Sequence, residues 1–188
     1  HRKGVNAGLF AVERLIRRAE TFGFHFLSLD IRYNAFDLQR AVGYCLGEQD
    51  WLTQPSAKRA ERIAAVLRVN DSPLVEPYSN AKRLLSIFRA LVFCRRKYGR
   101  RAIGPFLIRG CKDTDDIFAA LLLARWAGMH DADGLVPLDV VPTFESAAEL
   151  RGSEKLLRDL LNHDLYRAHL AGLSNHQTVM FNTSGVRA

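Results

Sequence analysis

The apolar residues of this chain follow two patterns, one at helical spacing and one in short, almost continuous runs. Apolar positions spaced three and four residues apart predict helices, which cover residues 7–21, 36–46, 57–67, 79–98, 114–128 and 153–161. Short apolar runs, typical of strands buried on both faces of a sheet, predict four strands, over residues 24–32, 102–109, 138–145 and 178–183. A short polar helix or loop containing Tyr166 and His169 precedes the last strand.

The order of these elements predicts the sheet topology. Every pair of successive strands is separated by at least one helix, which favours parallel strands joined by right-handed crossovers. Four strands are too few to close an eight-stranded barrel, and the sequence contains no internal repeat that would supply the others. We therefore expect a single helix-rich α/β domain over residues 1–188. Its architecture would be a partial (half) TIM-type β/α barrel, or an open sheet, with about four parallel strands.

Composition agrees with one folded domain. The chain has 188 residues and is 48% hydrophobic, which suffices for one sizeable core. No stretch reaches the roughly 18 apolar residues of a membrane helix, and no secretory signal follows His1, so we expect a cytoplasmic protein without a membrane partner. Three widely spaced cysteines, Cys45, Cys94 and Cys111, favour reduced thiols over a disulfide framework or a metal site.

The chain is basic, with a formal net charge of +7. This charge favours anionic partners, which could be a nucleic acid, an anionic membrane or a small acid such as a phosphate ester. The densest basic cluster, residues 95–101, lies at the end of a predicted helix, where cations can face water and stabilise the helix dipole. No nucleic-acid motif accompanies the cluster, which argues against nucleic-acid binding.

Candidate functional side chains follow the predicted strands. In parallel α/β folds these side chains gather beyond the carboxyl ends of the strands, which here hold Arg32, Arg109, Cys111, Glu145, Ser184 and Gly185. An arginine suits a carboxylate or phosphate, and a glutamate suits a divalent cation or proton transfer. The structural alternative is that Arg32 and Glu145 pair with each other, or with Asp30 and nearby helices.

The histidines and the common sequence motifs do not indicate a further functional site. His163 and His169 are six residues apart, which is not the spacing of a helical metal-binding pair. His25 lies in an apolar run and is expected to be a core histidine. The chain has no GxSxG elbow, GxGxxG fingerprint or P-loop, which removes the common hydrolase, dinucleotide and NTPase signatures.

Five segments, taken together and in order, resemble phosphoenolpyruvate carboxylase of the bacterial type. They cover nearly the whole chain: Glu20–Phe24 running into Leu29–Arg32; Tyr98–Gly99 with Ala102–Ile108; the helix from Asp115 to Gly128 with Leu121–Arg125; Val140–Glu145 with Leu150–Arg151; and Gln177–Met180.

The resemblance implies a fold, a reaction and two site residues. Enzymes of that family are helix-rich homotetramers built around a parallel β/α barrel, and they combine phosphoenolpyruvate with bicarbonate to give oxaloacetate and phosphate. A Mg²⁺ or Mn²⁺ ion acts as Lewis acid. By resemblance, Arg32 is the catalytic arginine that helps to bind the anionic reactants, and Glu145 is a metal-binding carboxylate.

This chain also departs from the family pattern. Gly185 occupies the place of the second metal-binding aspartate, and neither the catalytic histidine motif nor the phosphate-binding loops have a counterpart. A single glutamate seldom holds Mg²⁺ tightly. We therefore expect a carboxylase segment that is inactive alone, either a piece of a larger enzyme or a degenerate relative. Its expected partners are the remainder of a larger chain or identical copies. The alternatives are a non-catalytic interaction module and a basic nucleic-acid-binding domain.

Overall fold

The computed structural model of the protein describes residues 8–23, 28–69 and 72–181. These ranges form seven α-helices, namely α1 Leu9–Phe22, α2 Ala35–Cys45, α3 Ser56–Val69, α4 Ser79–Tyr98, α5 Thr114–Trp126, α6 Ala147–Asn162 and α7 Asp164–Ala171. They also form four strands, β1 Leu29–Asn34, β2 Ile103–Arg109, β3 Val140–Phe144 and β4 Met180–Phe181. Short 3₁₀ helices lie at Trp51–Thr53 and Arg100–Ala102.

The four strands form one parallel sheet in the order β1-β2-β3-β4. The predicted helix-rich α/β class and the parallel strands are confirmed. In register, Asn34 lies beside Arg109, Arg109 beside Thr143, and Thr143 beside Met180. The sheet is open over the described residues and is compatible with part of a β/α barrel.

Helix α5 is the central helix of the core. Every residue from Asp115 to Ala124 is buried, and the helix packs against α2, α3 and α4 on one face of the sheet. A helix that is apolar all round requires cover on all sides. Helix α5 also packs against β3, so it supports the strand that Glu145 directly follows.

A buried polar network ties the first turn of α5 to α2 and α3. The side-chain amide of Gln39 donates to Asp115 at 2.7 Å and to Asp116 at 3.1 Å, and its oxygen accepts from the Trp51 indole at 2.8 Å. Arg59 Nε donates to Asp115 at 2.7 Å. Burial and the neighbouring Asp116 raise the pKa of Asp115 to about 6, against the opposing effect of Arg59. The network gives the two buried acids partners that apolar neighbours could not provide.

Strand β1 differs from its prediction. We expected a strand buried on both faces, but every described residue from Leu29 to Asn34 is exposed or only half-buried. Among the described residues β1 is hydrogen-bonded to β2 alone, so it is an edge strand. Residues 24–27 of that predicted strand, with His25, lie outside the described residues. So do residues 182–183 of the last predicted strand.

Helix α6 begins at Ala147, six residues before the predicted start at 153. Ser146 is its N-cap, and the Ser146 hydroxyl accepts from the backbone N–H of Glu149 at 3.2 Å. The Glu149 carboxylate in turn accepts from the backbone N–H of Glu145 at 2.6 Å. This reciprocal arrangement is a variant of the capping box. It starts the helix directly after β3 and holds the backbone of Glu145.

Helix α1 has the predicted amphipathic pattern but no buried residue. Its large apolar side chains include Phe10 and Leu15, which are 76% and 66% exposed. The helix ends at Phe22, one residue beyond the predicted end, with Gly23 as its C-cap. Among the helices of the described segments, none combines the length and the hydrophobicity that crossing a membrane requires.

Candidate active-site rim

Arg32, Arg109 and Glu145 lie at the carboxyl ends of three adjacent strands. Arg32 is near the end of β1, Arg109 is the last residue of β2, and Glu145 directly follows β3. Together with Tyr33 and Asn34 they line one open pocket of about 350 Å³, which we call the rim pocket. The structure thus brings together Arg32 and Glu145, the two residues that the sequence analysis selected.

The register of the sheet explains this convergence. Asn34, Arg109 and Thr143 are side by side on neighbouring strands, and side chains in register point to the same face of a sheet. Arg32 is two residues before Asn34, and Glu145 is two residues after Thr143, so both share that face. Parallel strand order therefore suffices to place one side chain from each strand in the same pocket.

Glu145 is held by Arg109. The Nε atom of Arg109 donates to both carboxylate oxygens at 2.9 Å, and its Nη2 atom donates to Oε2 at 2.7 Å. The Glu145 side chain is 24% exposed and that of Arg109 is 55% exposed. The hydrogen bonds to Glu145 and its charge raise the pKa of Arg109. Glu145 is therefore in an ion pair, as the structural alternative expected. Its partner in the pair is Arg109, whereas that alternative had named Arg32.

Arg32 differs from Arg109 in its surroundings. Its side chain is exposed in the rim pocket and makes no hydrogen bond or ion pair with any residue that the structure describes. Asp30, the other partner considered, instead lies against Gly104. A side chain at position 104 would meet the Asp30 carboxylate, which would have to move aside. The guanidinium of Arg32 is thus available to an anion that enters the pocket.

The sequence predicts Arg109 at this rim but does not indicate that Arg109 pairs with Glu145. The roles of Ser146 and Glu149, which hold the backbone at Glu145 through the N-terminus of α6, were not predicted. The signal was present, since serine followed three residues later by glutamate is the pattern of a capping box. Thr143, whose buried hydroxyl has no partner among the described residues, was also overlooked.

The described residues do not by themselves fit a Mg²⁺ or Mn²⁺ site. Glu145 is the one carboxylate among the described residues that line the rim pocket, and both of its oxygens accept hydrogen bonds from Arg109. Over the described ranges, no group of three or more His, Cys, Asp and Glu side chains is placed to hold a metal ion. Mg²⁺ needs several oxygen ligands. Ser184 and Gly185 lie outside the described residues.

The remaining candidates, Cys111, His163 and His169, do not line the rim pocket. Cys111 is buried, and burial raises the pKa of its thiol well above the usual value. His163 stacks edge-on against Phe118, with ring centroids 4.7 Å apart. His169 is 4% exposed, and burial lowers its pKa to about 4. We find no functional geometry around these three side chains.

The sheet is parallel and carries two arginines and a glutamate at its carboxyl edge. The protein is thus an α/β protein with a polar pocket at the ends of its strands. The comparison with known families is specific. Residues 3–185 match the family model described as phosphoenolpyruvate carboxylase. The chain belongs to the phosphoenolpyruvate carboxylase family.

Its similar relatives carry the same description. The phosphoenolpyruvate carboxylase of Xanthomonas oryzae pv. oryzae (strain MAFF 311018) is 40% identical over 183 residues, which are 97% of this chain and 20% of that protein. The phosphoenolpyruvate carboxylase of Mycobacterium avium (strain 104) is 31% identical over 192 aligned residues, covering 95% of this chain and 20% of that protein. The chain spans about one fifth of the length of the curated relatives it matches.

Proposed function

We propose that this chain is a barrel segment of a phosphoenolpyruvate carboxylase, which contributes Arg32 and Glu145 to the active site and is inactive alone. The complete enzyme would combine phosphoenolpyruvate with bicarbonate to give oxaloacetate and phosphate. The observation that carries the proposal is the convergence of Arg32, Arg109 and Glu145 in one pocket at the carboxyl ends of adjacent parallel strands, in a chain of this family.

Arg32 is the residue proposed to bind the anionic reactants. A guanidinium presents a planar set of donors that matches a carboxylate or a phosphate with two parallel hydrogen bonds. Both groups occur in phosphoenolpyruvate, and bicarbonate offers a similar pair of oxygens. The exposed position of Arg32, without a partner among the described residues, leaves its donors available for such an anion.

Glu145 is the residue proposed to face the divalent cation in the complete enzyme. When bound, Mg²⁺ or Mn²⁺ would supply Lewis-acid stabilisation of negative charge on the reacting phosphoenolpyruvate. The described part of the chain offers this ion one carboxylate, so further ligands would have to come from elsewhere in the enzyme. The missing histidine motif and phosphate loops support the proposal that the chain has no activity alone.

The exposed surfaces support a role within a larger assembly. Apolar side chains of α1 such as Phe10 and Leu15 are mostly exposed, and β1 is an edge strand of the sheet that the described residues form. We propose that the remainder of a longer carboxylase covers both and completes a TIM-type barrel, and that this enzyme is a cytoplasmic homo-oligomer. The relatives are about five times the length of the matched region, which leaves ample chain for this purpose.

Nucleic-acid binding is the less favoured function. The basic cluster at the end of α4 includes Arg95, Arg96 and Lys97, which stabilise the negative end of that helix. Lys97 also lies over the rings of Phe93 and Tyr98 at 5.5 and 5.4 Å. These contacts give three members of the cluster a structural role without a ligand. We expect no gel shift with random DNA at low ionic strength, and a salt-dependent shift would favour the nucleic-acid function.

Calorimetric titration with phosphoenolpyruvate in the presence of Mn²⁺ tests the proposal. We expect binding at millimolar concentrations or below, weakened about ten-fold or more by Arg32→Gln because a charged, two-donor contact is lost. The matched control is Arg83→Gln, which removes an exposed arginine from α4 and should leave the affinity unchanged. Absence of heat at millimolar concentrations of both ligands would refute the proposed site, and oxaloacetate formation by the chain alone would refute its inactivity.

A further inference from the structure

The rim pocket contains a cation of its own at the carboxylate that the family resemblance assigns to a metal. One edge of the Arg109 guanidinium spans both oxygens of Glu145, with three N···O distances between 2.7 and 2.9 Å. The Glu145 backbone is fixed by the carboxylate of Glu149. Glu145 is therefore held in place while Arg109, with 55% of its side chain exposed, has room to move.

An arginine in this position opposes a divalent cation in two ways. It uses the oxygen lone pairs through which a carboxylate would coordinate the ion, and its positive charge repels a second cation a few ångströms away. A divalent ion that coordinates Glu145 therefore competes with the guanidinium for the carboxylate lone pairs. Both effects act at the same atoms, so binding of one cation weakens binding of the other.

We propose that Arg109 is a specificity-determining residue of the rim pocket, which competes with divalent cations for Glu145 and keeps them off while the ion pair is closed. The inference rests on the proposed function, because it takes Glu145 as the cation-facing carboxylate. It accounts for the poor fit of the described residues to a metal site. It also assigns different roles to the two arginines, since Arg32 faces the incoming anion and Arg109 controls access to the carboxylate.

The experiment is a titration with Mn²⁺ alone, without phosphoenolpyruvate, in which the spectroscopic signal of free aqueous Mn²⁺ is followed by electron paramagnetic resonance. We expect Arg109→Gln to bind Mn²⁺ about ten-fold more tightly than the wild-type chain, because the competing charge is removed. The double variant Arg109→Gln with Glu145→Gln should lose this gain. Arg109→Lys keeps the charge but loses the fork, and its affinity should fall between wild type and Arg109→Gln.

Arg158→Gln is the matched control. Arg158 is an exposed arginine that pairs with Glu154 on α6, so the variant removes one positive charge and frees one carboxylate away from the rim pocket. It should bind Mn²⁺ as the wild type does. The inference is overturned if Arg109→Gln shows no gain, or if the gain persists when Glu145 is also replaced. Either outcome leaves the separate test of phosphoenolpyruvate binding through Arg32 standing, so the two failures are distinguishable.

Discussion

The backbone N–H of Glu145 donates to the carboxylate of Glu149 at 2.6 Å, so the rim residue and the first turn of α6 are held as one unit. Ser146 completes the unit by capping the helix. The rim residue Glu145 is consequently positioned by the N-terminal turn of α6. Disturbing this cap should affect stability directly.

Ser146→Ala should lower the free energy of unfolding by about 1 kcal/mol, the usual cost of losing an N-cap side chain. Chemical denaturation measures this change. Ser153→Ala is the control, because among the described residues the Ser153 hydroxyl donates to the Leu150 carbonyl inside the same helix. Alanine has the higher helix propensity, so the control should be neutral or slightly stabilising. Equal losses in both variants would contradict the capping role.

Glu145→Gln should change the melting temperature by no more than a few degrees. Its partner Arg109 is mostly exposed, and ion pairs of that kind contribute little to stability because water already solvates the charges. Thermal unfolding followed by circular dichroism measures the effect. A fall of many degrees would instead show that the pair is primarily structural.

Gly43→Ala should destabilise the protein by about 1–3 kcal/mol, the typical cost of overpacking a core. A Cβ atom at Gly43 would be 2.6 Å from two atoms of the fully buried Trp51 side chain. Gly152→Ala is the control, since no atom lies within 4 Å of a Cβ at that helical position. There alanine should stabilise by about 0.5–1 kcal/mol. Changes in the free energy of unfolding that have opposite signs for the two variants would confirm the packing at Trp51.

His169 should make stability fall as the pH drops from about 6.5 to about 4. Burial lowers its pKa to about 4 in the folded protein, whereas an unfolded histidine takes up a proton near pH 6.5. Between these values the unfolded state binds a proton that the folded state does not bind. The stability that neutral His169 contributes is therefore complete above pH 6.5 and falls by about 3 kcal/mol by pH 4.

Urea unfolding of wild type and His169→Phe at several pH values isolates this contribution. The free energy of unfolding of the wild type, minus that of His169→Phe, should decrease as the pH falls. Taking the difference cancels the opposite trend from Asp115, whose raised pKa makes the folded state gain stability toward low pH. A constant difference for His169→Phe would contradict the assignment of a buried neutral histidine.

The main elements of the fold could be predicted from the sequence where two signals agree. Helix α5 has acidic residues in its first turn, an apolar body and Gly128 beyond its end, and the structure has it almost as predicted. The start of α6 was missed because its first turn, with Glu149 and the exposed Leu150, lacks the apolar periodicity on which the prediction relied. The exposure of β1 could not be predicted, because apolar content does not reveal which neighbours cover a strand.

The site was predictable to the level of topology. Parallel strand order brings Arg32 and Glu145 to one rim whatever their side-chain conformations. The choice of partner was not predictable, because several long charged side chains at a rim can reach the same carboxylate and small differences in geometry decide among them. In the structure Arg109 is that partner.

The central claim is that Arg32 and Glu145 belong to one anion-binding pocket at the carboxyl ends of the strands. A crystal structure of the chain soaked with phosphoenolpyruvate and Mn²⁺ measures this most directly. We predict that phosphate or carboxylate oxygens of the ligand lie within hydrogen-bond distance of the Arg32 guanidinium, inside the pocket that Glu145 lines. Ligand bound elsewhere while the rim pocket holds only solvent, or Arg32 and Glu145 on opposite faces of the sheet, would contradict the account.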